Sequence, residues 1–196
     1  MTTLRWFSRV RVVESVIVCA LIVLFAGTAH ADAAFQFTLP GLQAPKDSKV
    51  DGVRLSVLYG KTESLDGLDF GFFSYSEAGR LSGAAFVFGL HLLSGDMDGG
   101  LAWSLVNIHS GNDRGLNAAF VNKVNSVESG VDLAFVNVAD GKTLVDIGAL
   151  NLSDSSKVQV GIINVTEKLE GIQIGFINVA DNGFLKVFPF FNFPKQ

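Results

Sequence analysis

Cysteine is almost missing from this chain: its one copy, Cys19, sits in an apolar stretch near the N-terminus. Everything after residue 31 therefore lacks disulfides, a thiol nucleophile and thiolate metal ligands. Proline, methionine and tryptophan are also scarce. No run of Lys or Arg occurs beyond residue 31, and the formal charge is -4. A nucleic-acid footprint, which needs clustered basic residues to displace counterions, is thereby excluded. The longest apolar stretch, Val16 to Ala26, falls short of the ~20 residues a membrane-spanning helix needs.

What is present begins with an address. Arg5, Arg9 and Arg11 form a positive leader, the apolar stretch follows, and Ala29-His30-Ala31 supplies small residues at a cleavage site. This pattern reads as a secretory signal peptide over residues 1–31. Cys19 does not follow a lipobox, so a lipoprotein is not indicated. Without residues 1–31 the chain holds 12 basic and 18 acidic residues, a balance of -6. Residues 32–51 read as an N-terminal linker, 52–193 as a β-repeat domain and 194–196 as a tail.

Phe and Gly are abundant, and they recur in a fixed frame. The segments ending in Asn107, Asn122, Asn137, Asn151, Asn164 and Asn178 share one unit. That unit is Gly, aliphatic, polar, aliphatic, small, large apolar, aliphatic, Asn. Successive Asn residues are 15, 15, 14, 13 and 14 positions apart. Degenerate copies start at Gly52, Gly67 and Gly83, and a last one spans Phe184 to Phe193, which makes ten candidate strands. Period-2 sorting of the copy at Gly171 puts Ile172, Ile174, Phe176 and Asn178 on one face. Gln173, Gly175, Ile177 and Val179 fall on the other.

Two architectures fit such strands. A straight strand of about eight residues spans roughly 26 Å, and the rest of a repeat reaches at most about 24 Å fully stretched. A parallel β-solenoid would stack the Asn residues into a ladder, but on this geometry it requires each strand to bend at its small residue (Gly148, Gly161, Gly175). An antiparallel hairpin needs only two to five loop residues, and Asp140-Gly141, Asp154-Ser155-Ser156 and Asp181-Asn182-Gly183 have turn chemistry. The expected fold is therefore all-β: an antiparallel up-and-down meander closed as a ~10-stranded barrel, which removes exposed edges. The parallel β-solenoid is the alternative.

The Gly-Ile-Gln-Ile-Gly-Phe-Ile-Asn unit at 171–178, the Trp103-to-Ser110 segment and the Phe-rich run from Asn182 to Phe193 resemble an uncharacterised family of exported bacterial surface-repeat proteins. The resemblance covers about residues 52–193. It implies class and address and brings no chemistry.

Candidate chemistry is thin. His91 and His109 lie near strand ends with no nucleophile motif beside them and read as surface or rim residues. Asp96-Met97-Asp98-Gly99 has the look of a calcium-loop fragment, but Asn107 stands where the closing Glu would fall, so it reads as a solvated turn. The sequons at Asn151 and Asn164 are read as coincidental. Six unpartnered buried amides would each cost ~1–3 kcal/mol, so the repeat Asn residues must be paired or stand at the rim, each capping a strand end. No catalytic residue, metal ligand or cofactor is assigned, and binding residues are unknown. The expected function is a non-enzymatic cell-envelope β-repeat protein, outer-membrane-associated or integral. Its expected partner is membrane lipid or another envelope component. The alternative is a soluble periplasmic or surface-exposed binding or structural protein. The sequence leaves ligand and oligomeric state open.

Overall fold

In the computed structural model, residues 32–46 and 49–195 are described. The expected signal peptide at 1–31 lies outside them. The eight strands are β1 (Ala33–Leu39), β2 (Leu42–Ala44), β3 (Val50–Thr62), β4 (Leu65–Ala78), β5 (Leu81–Leu93), β6 (Met97–Ala139), β7 (Lys142–Ala180) and β8 (Val187–Asn192). The segment expected as a linker thus supplies β1 and β2.

The chain is all-β, but the antiparallel meander and the closed barrel are overturned. From β1 through β7, apart from β2, neighbours pair in parallel, each turn stacked on the one before: Gly52 on Gly67, Gly67 on Gly83, Gly83 on Gly100. This is a parallel β-solenoid. Among the described residues, antiparallel pairing occurs only at the two ends, where β2 folds back on β1 and β8 on β7. These two short strands cover the edges that an open coil would otherwise offer to another chain.

A straight strand was the premise that set the solenoid second to the meander, and these strands are not straight. In the turn from Val127 to Ala139, the side chains of Val127, Asp132, Ala134, Asn137 and Ala139 are buried. The residues between them face outward, with outward neighbours in succession at Glu128-Ser129, Phe135-Val136 and Asp140-Gly141. Each such place is a corner. The strand runs on through the corners, with the register shifting at places such as Phe72/Ser74 and Val87/Leu90, so β6 extends over 43 residues and β7 over 39. Bending within a hydrogen-bonded strand removes the need for separate loop residues, so the reach argument no longer applies.

Glycine makes one corner. Gly115 has φ +143, and a Cβ there would strike the carbonyl oxygen of Gly100 in the turn below. Only a residue without a side chain adopts that backbone so close to a neighbouring strand.

The interior has two textures. Val50, Leu65, Leu81, Leu93, Met97 and their small neighbours form an apolar cluster in the first turns, and Val124, Val127 and Ala139 form another. Beside them run columns of fully buried Asn, Gln, Asp, Ser and His. Large apolar residues, by contrast, crowd the outside. The polarity of each strand is the reverse of what a globular core would impose.

Candidate functional site: interior ladders and an apolar outer surface

All six repeat asparagines are buried, and they are brought together in a single file. Asn107 Nδ2 donates to Asn122 Oδ1 at 2.9 Å, Asn122 to Asn137 at 3.0 Å and Asn137 to Asn151 at 2.8 Å. The file continues from Asn151 to Asn164 at 2.7 Å and from Asn164 to Asn178 at 2.8 Å. The second proton of each amide goes to a main-chain carbonyl, for example Asn137 to Ile147 at 3.0 Å and Asn164 to Ile174 at 3.0 Å. The amides are paired, mainly with one another and not only with the adjoining turn. This position also explains the small residue of the repeat. A Cβ on Gly161 would lie 2.7 Å from Asn151 Nδ2 and 2.9 Å from Asn164 Oδ1. The two sequon residues, Asn151 and Asn164, are rungs of this file.

A second interior column runs through Asn117, Asp132, Asp146, Gln159 and Gln173, which at Asn117, Asp132 and Gln173 lies two residues after a corner glycine. Gln173 Nε2 donates to Gln159 Oε1 at 2.8 Å, and Gln159 donates to Asp146 Oδ2 at 3.1 Å. Further along, Asn117 Nδ2 donates to Asp132 Oδ1 at 2.9 Å and to Asp113 Oδ2 at 2.8 Å. Asp113 also meets His109 Nδ1 at 2.6 Å. His91 Nδ1 and His109 Nε2 are 3.2 Å apart, with the rings edge to face. The histidines expected at the rim are thus buried links in a polar chain. The signal that could have found them is register: His91 occupies the Asn slot of its turn, opposite Asn107. Burial, reinforced by the neighbouring His109, pushes the His91 imidazole down to about 3, so it is neutral at physiological pH.

At the start of the same column, Arg54 and Asp69 form a fully buried ion pair. Arg54 Nε donates to Asp69 Oδ1 at 2.9 Å and its Nη1 to the Glu77 carbonyl at 2.9 Å. Burial works to raise the Asp69 carboxyl, but the Arg54 charge and the Arg54 and Ser76 hydrogen bonds prevail and hold it below its ordinary value. Asp96 and Asp98, the calcium-loop fragment, sit at a corner and are occupied by the chain itself. Asp96 Oδ1 accepts from the Asn112 amide at 2.8 Å, and Asp98 pairs with Arg80 at 2.7 Å.

The outside is sorted by corner. At the corner before Asn122, Asn137, Asn164 and Asn178 stand Phe120, Phe135, Ile162 and Phe176, and Phe72 and Phe88 stand at the same corner of earlier turns, all between 42% and 71% exposed. The rings of Phe120 and Phe135 stack at 5.2 Å, 4° from parallel. Next to this ridge the strand face carries Phe86, Trp103, Leu133, Ile147 and Ile174, all exposed. The other two corners are charged, with ion pairs between turns such as Arg114 with Glu128 at 2.8 Å and Lys142 with Glu170 at 3.0 Å. The coil is therefore amphipathic around its circumference, apolar on one corner and side, ionic on the others. Among the described residues, no group of His, Cys, Asp and Glu is arranged to hold a metal ion, and no helix is long and apolar enough to cross a membrane. No family model, curated protein or solved structure matches the chain, so these two features, the interior ladders and the apolar ridge, are what a functional reading must be built on.

Proposed function

We propose that this chain is a non-enzymatic cell-envelope β-solenoid that seats its apolar corner on a lipid surface and keeps its charged corners in water. The observation that carries this reading is the ridge Phe72, Phe88, Phe120, Phe135, Ile162 and Phe176, exposed on turn after turn. Contiguous apolar surface on this scale marks a docking face, not scattered surface residues.

Lipid suits the ridge better than a second copy because the ridge is convex. Two rigid ridges touch along a line and bury little, whereas fluid acyl chains close around a ridge. Full burial of a large apolar side chain is worth ~1.5–3 kcal/mol, so half that gain from six residues gives roughly 5–9 kcal/mol. That is in the range of a single acyl anchor or better. Hydrocarbon also demands that backbone groups be satisfied internally, and turn-to-turn pairing supplies this along the strand segments that flank the ridge. The export signal read at residues 1–31 and the resemblance to exported surface-repeat proteins agree with this address. Because the interior is filled by side chains, the proposed role is a scaffold or attachment and not a conduit.

The test is expression of the full precursor in a Gram-negative host, followed by envelope fractionation and flotation of the purified protein with vesicles. The expected result is retention with membranes, no heat-dependent shift on a gel, and release by Phe120→Asp with Phe135→Asp. A wild-type protein that stays with the soluble fraction and does not float sinks the reading. Self-association through the same residues would instead identify a second copy as the cover.

A further inference from the structure

The second interior column has an Asp–Asp rung without a donor. Asp132 and Asp146 face each other in register on adjacent turns. From one side, Asn117 donates to Asp132 Oδ1 at 2.9 Å. From the other, Thr143, Ser156 and Gln159 all donate to the same Asp146 oxygen, Oδ2, at 2.7, 3.1 and 3.1 Å. Asp146 Oδ1 is left buried with no partner. Donors thus converge on the pair from both ends of the column, and between the two carboxyls there is none.

Nor is there a counter-charge. Among the described residues, no Lys, Arg or His forms an ion pair with either carboxyl. The buried acid of the preceding turn, Asp113, meets His109 and Asn117 through Oδ2 and leaves Oδ1 without a partner. The cations of the neighbouring turns, Arg114, Lys123 and Lys142, are on the outside and are paired there with Glu128, Asp140 and Glu170. Lys157 is exposed at the next corner. Two ionised carboxylates stacked in this interior would pay both desolvation and mutual repulsion.

We propose that Asp132 and Asp146 form a buried proton-binding site, holding between them at neutral pH a proton that serves as the missing donor of the column. Loss of that proton leaves two like charges on adjacent turns and loosens the coil between Asp113 and Ser156. Burial, with the charges of Asp146 and Asp113 adding to it against the Asn117 hydrogen bond, pushes the Asp132 carboxyl up to about 8. Burial raises Asp146 as well, against its three hydrogen bonds. The two titrate as a coupled pair. A carboxyl whose folded value lies above its unfolded value of ~3.9 binds more protons folded than unfolded. Its cost to stability is absent below about pH 4, grows as pH rises, and is complete above about pH 8.

The experiment is thermal unfolding of the full chain and of Asp132→Asn and Asp146→Asn between pH 5 and pH 9, each in sodium and in tetramethylammonium buffers. An amide supplies the missing donor without a charge. The expected result is a wild-type Tm that falls with pH and variants whose Tm falls much less, so that both exceed wild type at pH 9. If the variants lose as much as wild type, or if sodium alone abolishes the wild-type loss, the site does not hold a proton. Infrared spectra of the wild type give an answer that needs no variant. A protonated-carboxyl band present at pH 7 and gone by pH 10 supports the site, and its absence at pH 7 overturns it.

Discussion

Asn137 Nδ2 reaches Asn151 Oδ1 at 2.8 Å across one turn of the coil and the Ile147 carbonyl at 3.0 Å. The same amide accepts from Asn122 Nδ2 at 3.0 Å. A middle rung therefore satisfies two other rungs and two main-chain carbonyls, Asp132 and Ile147, whereas the last rung, Asn178, is bonded to only one other rung.

This asymmetry sets an order of stabilities. Asn137→Ala leaves a donor on Asn122 and an acceptor on Asn151 unpaired in the interior, at ~1–3 kcal/mol for each orphan. A loss of about 2–5 kcal/mol is expected, and a smaller one for Asn178→Ala, both read from denaturant unfolding. Asn137→Asp replaces a donor with an acceptor that faces other acceptors. It should be worse than alanine at pH 7 and partly relieved at pH 4, where the carboxyl can carry a proton.

Gly161→Ala tests the reason for the small residue. Its Cβ would press on the amides of Asn151 and Asn164 at 2.7 and 2.9 Å and on the Gly148 carbonyl. Overpacking of this kind costs typically 1–3 kcal/mol. The expected outcome is a lower Tm. An unchanged Tm would show that the file has slack at this rung.

Removing one half of the Arg54–Asp69 pair strands the other charge in the interior. Asp69→Asn should cost about 3–5 kcal/mol, far more than Glu77→Gln costs at the exposed, solvent-screened pair Lys61–Glu77. The Asp69 carboxyl is depressed in the folded state, so its stabilisation is present above the unfolded value near 3.9 and is lost as pH falls through the folded value.

His91 acts over a different window. Its folded value, about 3, lies below the unfolded value near 6.5. The unfolded chain therefore takes up a proton first, and stability falls as pH drops from about 6.5 toward 3. His91→Gln should flatten that limb of the profile, and titration by NMR should find His91 still neutral at pH 5.

Much of this was legible in the sequence, but the sense of the strand was not. The repeat frame from Gly100 onward, the six Asn positions and the period-2 sorting up to Phe176 match the coil, whereas in the earlier copies the slot expected at Leu90 belongs to His91. Past Phe176 the alternation breaks, because Phe176 and Ile177 both face outward and Asn178 turns in. That pair is a corner, and nothing in two consecutive apolar residues distinguishes a corner from a continuing strand. The tighter repeats did carry a mark. Where the Asn spacing shrinks from 15 to 13 or 14, the small residue changes from Ala119 and Ala134 to Gly148, Gly161 and Gly175. Which face is inner was also hidden. Apolar bulk ordinarily decides it, and here hydrogen-bonded amides take the interior instead. The Asp132–Asp146 rung could not be seen until the turns were stacked, because the two residues share a column only in the solenoid.

The most direct check on the lipid-seated coil uses Trp103, the only tryptophan after residue 31, which stands 43% exposed on the apolar side. Its fluorescence would be followed as vesicles carrying brominated acyl chains are added, with iodide as the aqueous quencher. The account predicts a blue shift, quenching by the brominated lipid and loss of access to iodide. Emission that ignores the brominated chains and remains open to iodide would contradict it.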